Sequence, residues 1–225
     1  MPYGTVKRVM ATRNHNFAPG EFYHLYNRGT DKRIIFQSAS DYTRFVELLY
    51  LANATTRINV RDIIRDYGSV WEYPQEHPLV AIGAYCLMLN HFHILLTPLV
   101  EGGIGMFMNK LCTSYSMYFN KKYERTGSLF QGPYKSRHAT TNQYLKYLYA
   151  YIHLNPLELC QRPGEDSIEA LLRYPHSSLP DYTRRIRPEL AILNPSLFPD
   201  YFHTSAEHLA DLQSWLAAEA DRLEL

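Results

Sequence analysis

The sequence has little cysteine and no long uninterrupted hydrophobic stretch. Its three cysteines, Cys86, Cys112 and Cys160, are odd in number and form no CxxC pair, which argues against a disulfide or zinc scaffold and favours reduced thiols. Polar residues interrupt the longest apolar runs, so we expect no transmembrane span. Residues 1–17 contain no apolar stretch of the kind that a signal peptide needs, and we therefore expect a cytoplasmic protein.

A net charge near zero hides an uneven distribution of charge. The 225 residues are 46% hydrophobic, 14% aromatic and 20% charged, with a formal charge of +1, which is typical of one globular domain with room for an appendage. Residues 1–150 contain 17 Lys and Arg against 10 Asp and Glu, whereas residues 151–225 contain 6 against 12. The basic first part is suited to binding a phosphate backbone.

The most informative short motif is His91-Phe92-His93, inside an apolar run from Tyr85 to Leu96. Side chains two residues apart in a strand share a face, so both imidazoles would point the same way. Two neutral imidazoles on a stiff strand can share a divalent cation, which then needs an oxygen ligand from elsewhere. Two polar residues on the wet face of a sheet would give the same pattern, so the motif alone does not establish a metal site.

A second informative segment is a predicted helix over residues 142–155. Its apolar residues recur with helical spacing, at Leu145, Leu148 and Ile152. Pro156 ends the helix because the residue before a proline is pushed out of the helical region. Tyr151 and Asn155 are four residues apart and therefore share one face of this helix. A phenol and an amide oxygen thus project from the same helical turn.

The remaining pattern predicts an α+β fold. Strands are expected at residues 21–28, 80–87, 91–97 and 134–139, and helices begin at Ser38 or Ser40, at the glycines near 102 and at 142; residues 53–77 are polar. The order β-α-β-β-α-β-α is that of a ferredoxin-like split βαβ sandwich with an antiparallel sheet, helices on one face and an additional helix that carries Tyr151. We expect the open face of the sheet to present His91 and His93.

The last part of the chain is predicted to be an extension of this core. We place the core at residues 1–160 and a mostly helical or irregular extension, packed on the core, at residues 161–225, where only 204–223 has a clear helical pattern with Thr204 as its cap. The extension would cover the sheet, contact DNA through Arg184, Arg185 and Arg187, or serve oligomerisation.

Together these segments resemble the single-tyrosine, His-hydrophobic-His transposases, in the branch called REP-associated tyrosine transposases. The similar motifs follow the family's order, at Tyr23–Gly29, Met88–Leu96, Gly127–Gln131, Tyr134–Ser136 and Tyr151–Pro156, with a weaker similarity over Tyr174–Tyr182. One departure is Leu89, where the family usually has proline. That difference affects the turn that enters the strand more than the histidines.

The resemblance implies a site and an activity. His91, His93 and Asn155 would be the metal ligands, with Mg²⁺ or Mn²⁺ as the cofactor, and Tyr151 the nucleophile. The implied activity is transposition: cleavage and rejoining of single-stranded DNA at hairpin-forming repeats through a 5′-phosphotyrosine intermediate. The implied partner is single-stranded or hairpin DNA and no membrane. Members of the family include homodimers that exchange the tyrosine helix and also monomers, and the sequence leaves both open.

The implied chemistry explains why these residue types are needed. A phenol ordinarily ionises near pH 10, at about its reference pKa, so its attack on phosphorus requires activation or a polarised phosphate. The phenolate is also a tolerable leaving group. A covalent link through Tyr151 would therefore conserve the phosphodiester energy, and a DNA hydroxyl could reverse the link to join a new strand.

Basic residues near these motifs are predicted to bind DNA. The set consists of Arg28, Lys32, Arg33, Lys121, Lys122, Arg125, Lys135 and Arg137.

Two alternative functions stay open. The protein could be a non-catalytic single-stranded nucleic-acid-binding module, in which exposed aromatics such as Tyr23, Phe92 or Tyr134 stack on bases. A weaker alternative is a metal-dependent phosphodiesterase that uses water.

Overall fold

The computed structural model describes residues 17–183 and 186–223, with the side chains of the final helix described as far as residue 218. Within these residues the strands are β1 (Tyr23–Arg28), β2 (Val80–Leu87), β3 (His91–Pro98) and β4 (Lys135–His138). The helices are α1 (Ala39–Leu51), α2 (Val60–Tyr67), α3 (Gly103–Lys122), α4 (Asn142–Leu154), α5 (Leu157–Cys160), α6 (Ser167–Arg173), α7 (Leu179–Tyr182) and α8 (Ser205–Leu223). No helix in this part of the chain is long and apolar enough to cross a bilayer.

The sheet has the strand order β2-β3-β1-β4, and every neighbouring pair is antiparallel. This is the order of a split βαβ unit, so the predicted ferredoxin-like α+β fold is confirmed. In the central pair, Tyr26 of β1 lies opposite His93 of β3, and Arg28 lies opposite His91. This register brings the Tyr23–Gly29 and Met88–Leu96 motifs together in the sheet.

The two faces of the sheet are both covered by helices. On one face, Phe92, Ile94 and Leu96 of β3 belong to a large core with residues of α1 and α3. On the other face, Leu95 belongs to a second core with Leu148 and other residues of α4. The expectation that the histidine face is open was therefore wrong. The apolar stripe of α4 is buried against this face, in a core that includes the small residues Ala81, Ala84 and Cys86 of β2.

Local capping signals account for where the main helices begin. Ser38, one of the two caps that the sequence predicts, precedes α1 and forms a capping box with Asp41. Thr141 caps α4, and its hydroxyl accepts a hydrogen bond from Tyr144 N at 3.1 Å. Helix α2 lies inside the segment that was expected to be only polar, and its Asn59 cap is bonded to Arg61 N. Its eight residues are too short for a clear helical period.

The extension pairs with the free edge of β2. Leu87 N donates to the carbonyl of His176 at 2.9 Å, Ser178 N donates to Tyr85 O at 2.9 Å, and Asn194 N donates to Ile82 O at 2.9 Å. An edge strand with unpaired amides would otherwise be open to pairing with another chain. Arg187, which was considered for DNA contact, is bound to Asp181 and to the carbonyls of Pro175 and Ser177. Arg184 and Arg185 lie outside the described residues.

Candidate active site

Two histidines of β3 form the centre of the candidate site. His91 and His93 share the face of the sheet on which α4 packs, and their ring centroids are 5.0 Å apart. His93 is buried, with 5% of its surface exposed, whereas His91 is half-buried. The strand alternation therefore orients both imidazoles as the sequence predicts.

Tyr151 lies directly beside these histidines. Its ring centroid is 5.4 Å from that of His93 and 5.6 Å from that of His24. The phenol remains accessible, since 36% of the residue is exposed. Because Leu148 and Ile152 bury the neighbouring face of α4, the helix holds Tyr151 at the edge of that buried face. The tyrosine and the histidines belong to the same chain.

Asn155 lies one turn after Tyr151, immediately beyond α4. Its side-chain Nδ2 donates to the carbonyl of Tyr151 at 2.6 Å, which fixes the amide against the end of the helix. His91, Tyr151 and Asn155 line one cleft of about 410 Å³. Tyr151 also lines an adjoining cleft of about 280 Å³ with His24, His93 and Arg137. The four residues that the sequence predicts thus meet at two clefts joined by Tyr151.

The histidines have the chemistry that a bound cation requires. Burial lowers the pKa of His93 well below its ordinary value, and the neighbouring His24 and His91 lower it further. Burial and the Arg28 guanidinium also lower the pKa of His91. Both rings are therefore neutral at physiological pH, which is the form that ligates metals. His93 Nε2 is buried without a hydrogen-bond partner, and a cation would satisfy that nitrogen.

Histidine, cysteine and carboxylate side chains alone would not complete a metal site here. Among the residues that the structure describes, no three His, Cys, Asp or Glu side chains are grouped so that they could hold a metal. A cation held by His91 and His93 would therefore need other oxygen ligands, such as the Asn155 amide and the oxygens of a bound phosphate.

His24, which was not predicted as a site residue, is part of the same cluster. Its Nε2 lies 2.8 Å from His93 Nδ1, and only 4% of the residue is exposed. Burial, with a contribution from Arg137, lowers the pKa of His24 to about 4. The signal in the sequence was the alternation of His24 and Tyr26 along β1. It becomes informative only when β1 is known to pair with β3.

Four of the predicted DNA-binding residues line clefts that contain a histidine of the candidate site. Arg28, Lys32 and Lys135 line a cleft of about 450 Å³ together with His91. Arg137 lines the cleft that contains His93 and Tyr151. Positive charge therefore lies on both sides of the histidine pair.

The other four basic residues are placed differently. Arg33 donates to the carbonyl of Thr30, Arg125 donates to Asn120, and Lys121 is exposed near the end of α3. The Lys122 ammonium forms an ion pair with Asp41 at 2.6 Å. Lys122 is thus engaged in holding α3 to the start of α1.

The aromatic residues that the binding-module alternative invoked are not all exposed. Tyr23 and Phe92 are 2% and 0% exposed and lie in the core on the α1–α3 face, so the expectation that they present a stacking surface was wrong. Tyr134 is half-buried. The aromatic rings that border the candidate site are instead those of Tyr26, Tyr144, Tyr147 and Tyr151.

Among the comparisons with known proteins, a family-model match agrees with the motif resemblance. No curated protein matches the sequence. One similar solved structure is described as a REP-associated tyrosine transposase bound to a REP hairpin; it has a TM-score of 0.44 and 12% identity, with 87% of this chain and 93% of that chain covered. A family model described as IS200-like transposase matches residues 48–155, a range that includes His91, His93, Tyr151 and Asn155. Over these residues the chain is similar to the IS200-like transposases.

Proposed function

We propose that this protein is a transposase, a metal-dependent endonuclease and strand transferase that cleaves and rejoins single-stranded DNA through a 5′-phosphotyrosine at Tyr151. The observation that supports this most is the 5.4 Å separation between the Tyr151 and His93 rings. An accessible phenol beside neutral imidazoles, with basic residues around both, is the arrangement that phosphoryl transfer to tyrosine requires. One copy of the chain carries all of these groups.

His91, His93 and Asn155 would hold Mg²⁺ or Mn²⁺ in this proposal. Such a cation, when bound, neutralises charge on the non-bridging oxygens of the scissile phosphate. Asn155 is well suited to this role because its amide is tied to the Tyr151 carbonyl. A displacement of the Asn155 ligand would therefore also displace the helix end that carries the nucleophile.

Tyr151 performs the covalent step. Its phenolic oxygen attacks phosphorus, the bond from phosphorus to the 3′ oxygen breaks, and the phenolic proton is released while the departing 3′ oxygen gains one. The 5′ phosphate remains on the tyrosine. Attack by a 3′ hydroxyl on this phosphotyrosine regenerates the phenol and joins the two strands. The reaction is a transesterification and needs neither an oxidant nor a nucleotide cofactor.

The basic clefts favour a nucleic-acid backbone as the substrate. Arg28, Lys32 and Lys135 can neutralise phosphates on the His91 side, and Arg137 can do so on the Tyr151 side. An unpaired strand suits clefts of this size better than a duplex does. We infer hairpin-forming repeats as the target from the motif resemblance to REP-associated tyrosine transposases.

Adduct formation tests the proposal. A labelled single strand that bears a hairpin, incubated with the protein and Mg²⁺ or Mn²⁺, should give a denaturant-resistant protein–DNA adduct. Tyr151→Phe should still bind the DNA but form no adduct. Tyr147→Phe, one turn away on α4, is the matched control and should retain adduct formation.

Each other outcome points to a different function. An adduct with Tyr151→Phe would refute Tyr151 as the nucleophile. Nicking without an adduct would favour the phosphodiesterase that uses water, and binding without nicking would favour the non-catalytic binding module.

A further inference from the structure

We propose that His24 and Asn90 are positioning residues: His24 fixes the tautomer of His93 and Asn90 that of His91, so that each histidine would keep an unprotonated Nε2 available for a metal. The inference rests on the proposed function in taking His91 and His93 as ligands. It starts, however, from two hydrogen bonds that do not depend on a bound metal.

The tautomer of His91 follows from the orientation of Asn90. Asn90 Nδ2 donates to the carbonyl of Lys32 at 3.0 Å, and this bond sets which end of the amide faces the histidine. Asn90 Oδ1 then lies 2.7 Å from His91 Nδ1. A carbonyl oxygen can only accept, so His91 Nδ1 carries the proton and His91 Nε2 keeps its lone pair.

The tautomer of His93 follows from its contact with His24. Of the two nitrogens that meet at 2.8 Å, one donates and the other accepts. If His24 donated, His93 would carry its proton on Nε2, where this N–H would be buried without an acceptor. If His93 Nδ1 donates, Nε2 is a bare lone pair, which a cation can satisfy. The second arrangement avoids the buried unsatisfied donor.

The sheet holds His24 in place for this contact. His24 lies opposite Leu95 in the β1–β3 register, and therefore diagonal to His93 on the same face. Its ring stacks on Tyr26, with centroids 5.3 Å apart. Because His24 is 4% exposed, water cannot easily replace it as the acceptor. Metal-bound histidines usually donate their second N–H to such a partner, which orients the ring.

The first test measures the tautomers directly in metal-free protein. Nitrogen NMR of the full chain, labelled at histidine and recorded above pH 7, distinguishes an Nδ1 proton from an Nε2 proton. We expect His91 and His93 both to carry the proton on Nδ1. An Nε2 proton on His93 would overturn the assignment to His24, and one on His91 would overturn the assignment to Asn90.

The second test measures Mn²⁺ affinity without DNA, by the EPR signal of the free ion. His24→Ala removes the acceptor and should weaken Mn²⁺ binding about 10- to 100-fold, the usual effect of losing a partner behind a ligand. His24→Gln keeps an acceptor oxygen and should restore most of the affinity. His138→Gln alters a β4 histidine that contacts Glu21, and should bind Mn²⁺ as wild type does.

The outcomes separate this inference from the proposed function. Wild-type protein that forms no DNA adduct would refute the proposed function, whereas the NMR result would still decide the tautomers. If His24→Ala fails to fold, Asn90→Ala gives the corresponding measurement for His91 and should also weaken Mn²⁺ binding. Wild-type affinity in folded His24→Ala or Asn90→Ala, or a His24→Gln affinity as low as that of His24→Ala, would overturn the inference.

Discussion

Replacing Lys122 with glutamine should destabilise the protein without changing how it binds DNA. Replacing Lys135 with glutamine should weaken DNA binding without destabilising the protein. The two residues are in the same basic set of the sequence. In the structure, the Lys122 ammonium bonds to Asp41, whose side chain is 0% exposed. Lys135 is exposed on β4 and lines the cleft of His91.

The size of the Lys122 effect follows from what remains around Asp41. Tyr123 and Tyr118 still donate to the carboxylate, as do the amides of Gln37 and Ser38. Burial alone would raise the pKa of Asp41, but the bonds from Lys122 and Tyr123 hold it below its ordinary value. The lost charged hydrogen bond, discounted because the Lys122 side chain is 29% exposed, costs about 1–2 kcal/mol.

Two assays check this pair of variants. For a chain of this length, the cost corresponds to a Tm lower by about 2–8 °C in Lys122→Gln, measured by thermal unfolding. In titrations of a hairpin-bearing single strand over a range of salt concentrations, Lys135→Gln should reduce the salt slope by about 0.7–1. The reasoning is refuted if Lys122→Gln reduces the slope and leaves the Tm unchanged, because Lys122 would then leave Asp41 to contact DNA.

Two further predictions concern the packing and the histidines of the α4 face. An added Cβ at Gly83 would lie 2.7 Å from the Phe198 ring and 2.9 Å from the Tyr149 hydroxyl, whereas a Cβ at Gly105 would meet open space. Gly83→Ala should therefore lower the free energy of unfolding, measured by urea titration, by about 1–3 kcal/mol. Gly105→Ala is the control and should not lower it. Burial lowers the pKa of His208 to about 4. Below pH 6.5 the unfolded chain therefore binds more protons at this histidine than the folded chain does, and the free energy of unfolding should fall between pH 6.5 and pH 4. His208→Gln should make that fall shallower, and an unchanged pH profile would contradict a buried neutral His208.

Local patterns in the sequence were sufficient to predict the elements that carry the proposed ligands and the proposed nucleophile. The alternation around His91 and the spacing and cap of α4 are properties of neighbouring residues, and the structure has both elements within a few residues of their expected bounds. The position of α4 was not predictable in this way. An apolar stripe shows that a face is buried, but it does not show which surface buries it.

Contacts between distant residues account for what the sequence analysis missed. His24 and His93 are 69 residues apart and meet only through the pairing of β1 with β3. Likewise, the sequence alone does not distinguish the roles of Lys122 and Lys135. Their roles differ in the structure because Lys122 forms an ion pair with Asp41. Single-sequence patterns contain no information about such partners.

The most direct measurement of the central claim is to identify the residue that becomes linked to DNA. The protein–DNA adduct is digested with nuclease and protease, and the peptide that retains a nucleotide is sequenced by mass spectrometry. We predict that Tyr151 carries a nucleotide joined to it through the 5′ phosphate. A nucleotide on Tyr147, on Tyr144 or on any other residue would contradict it.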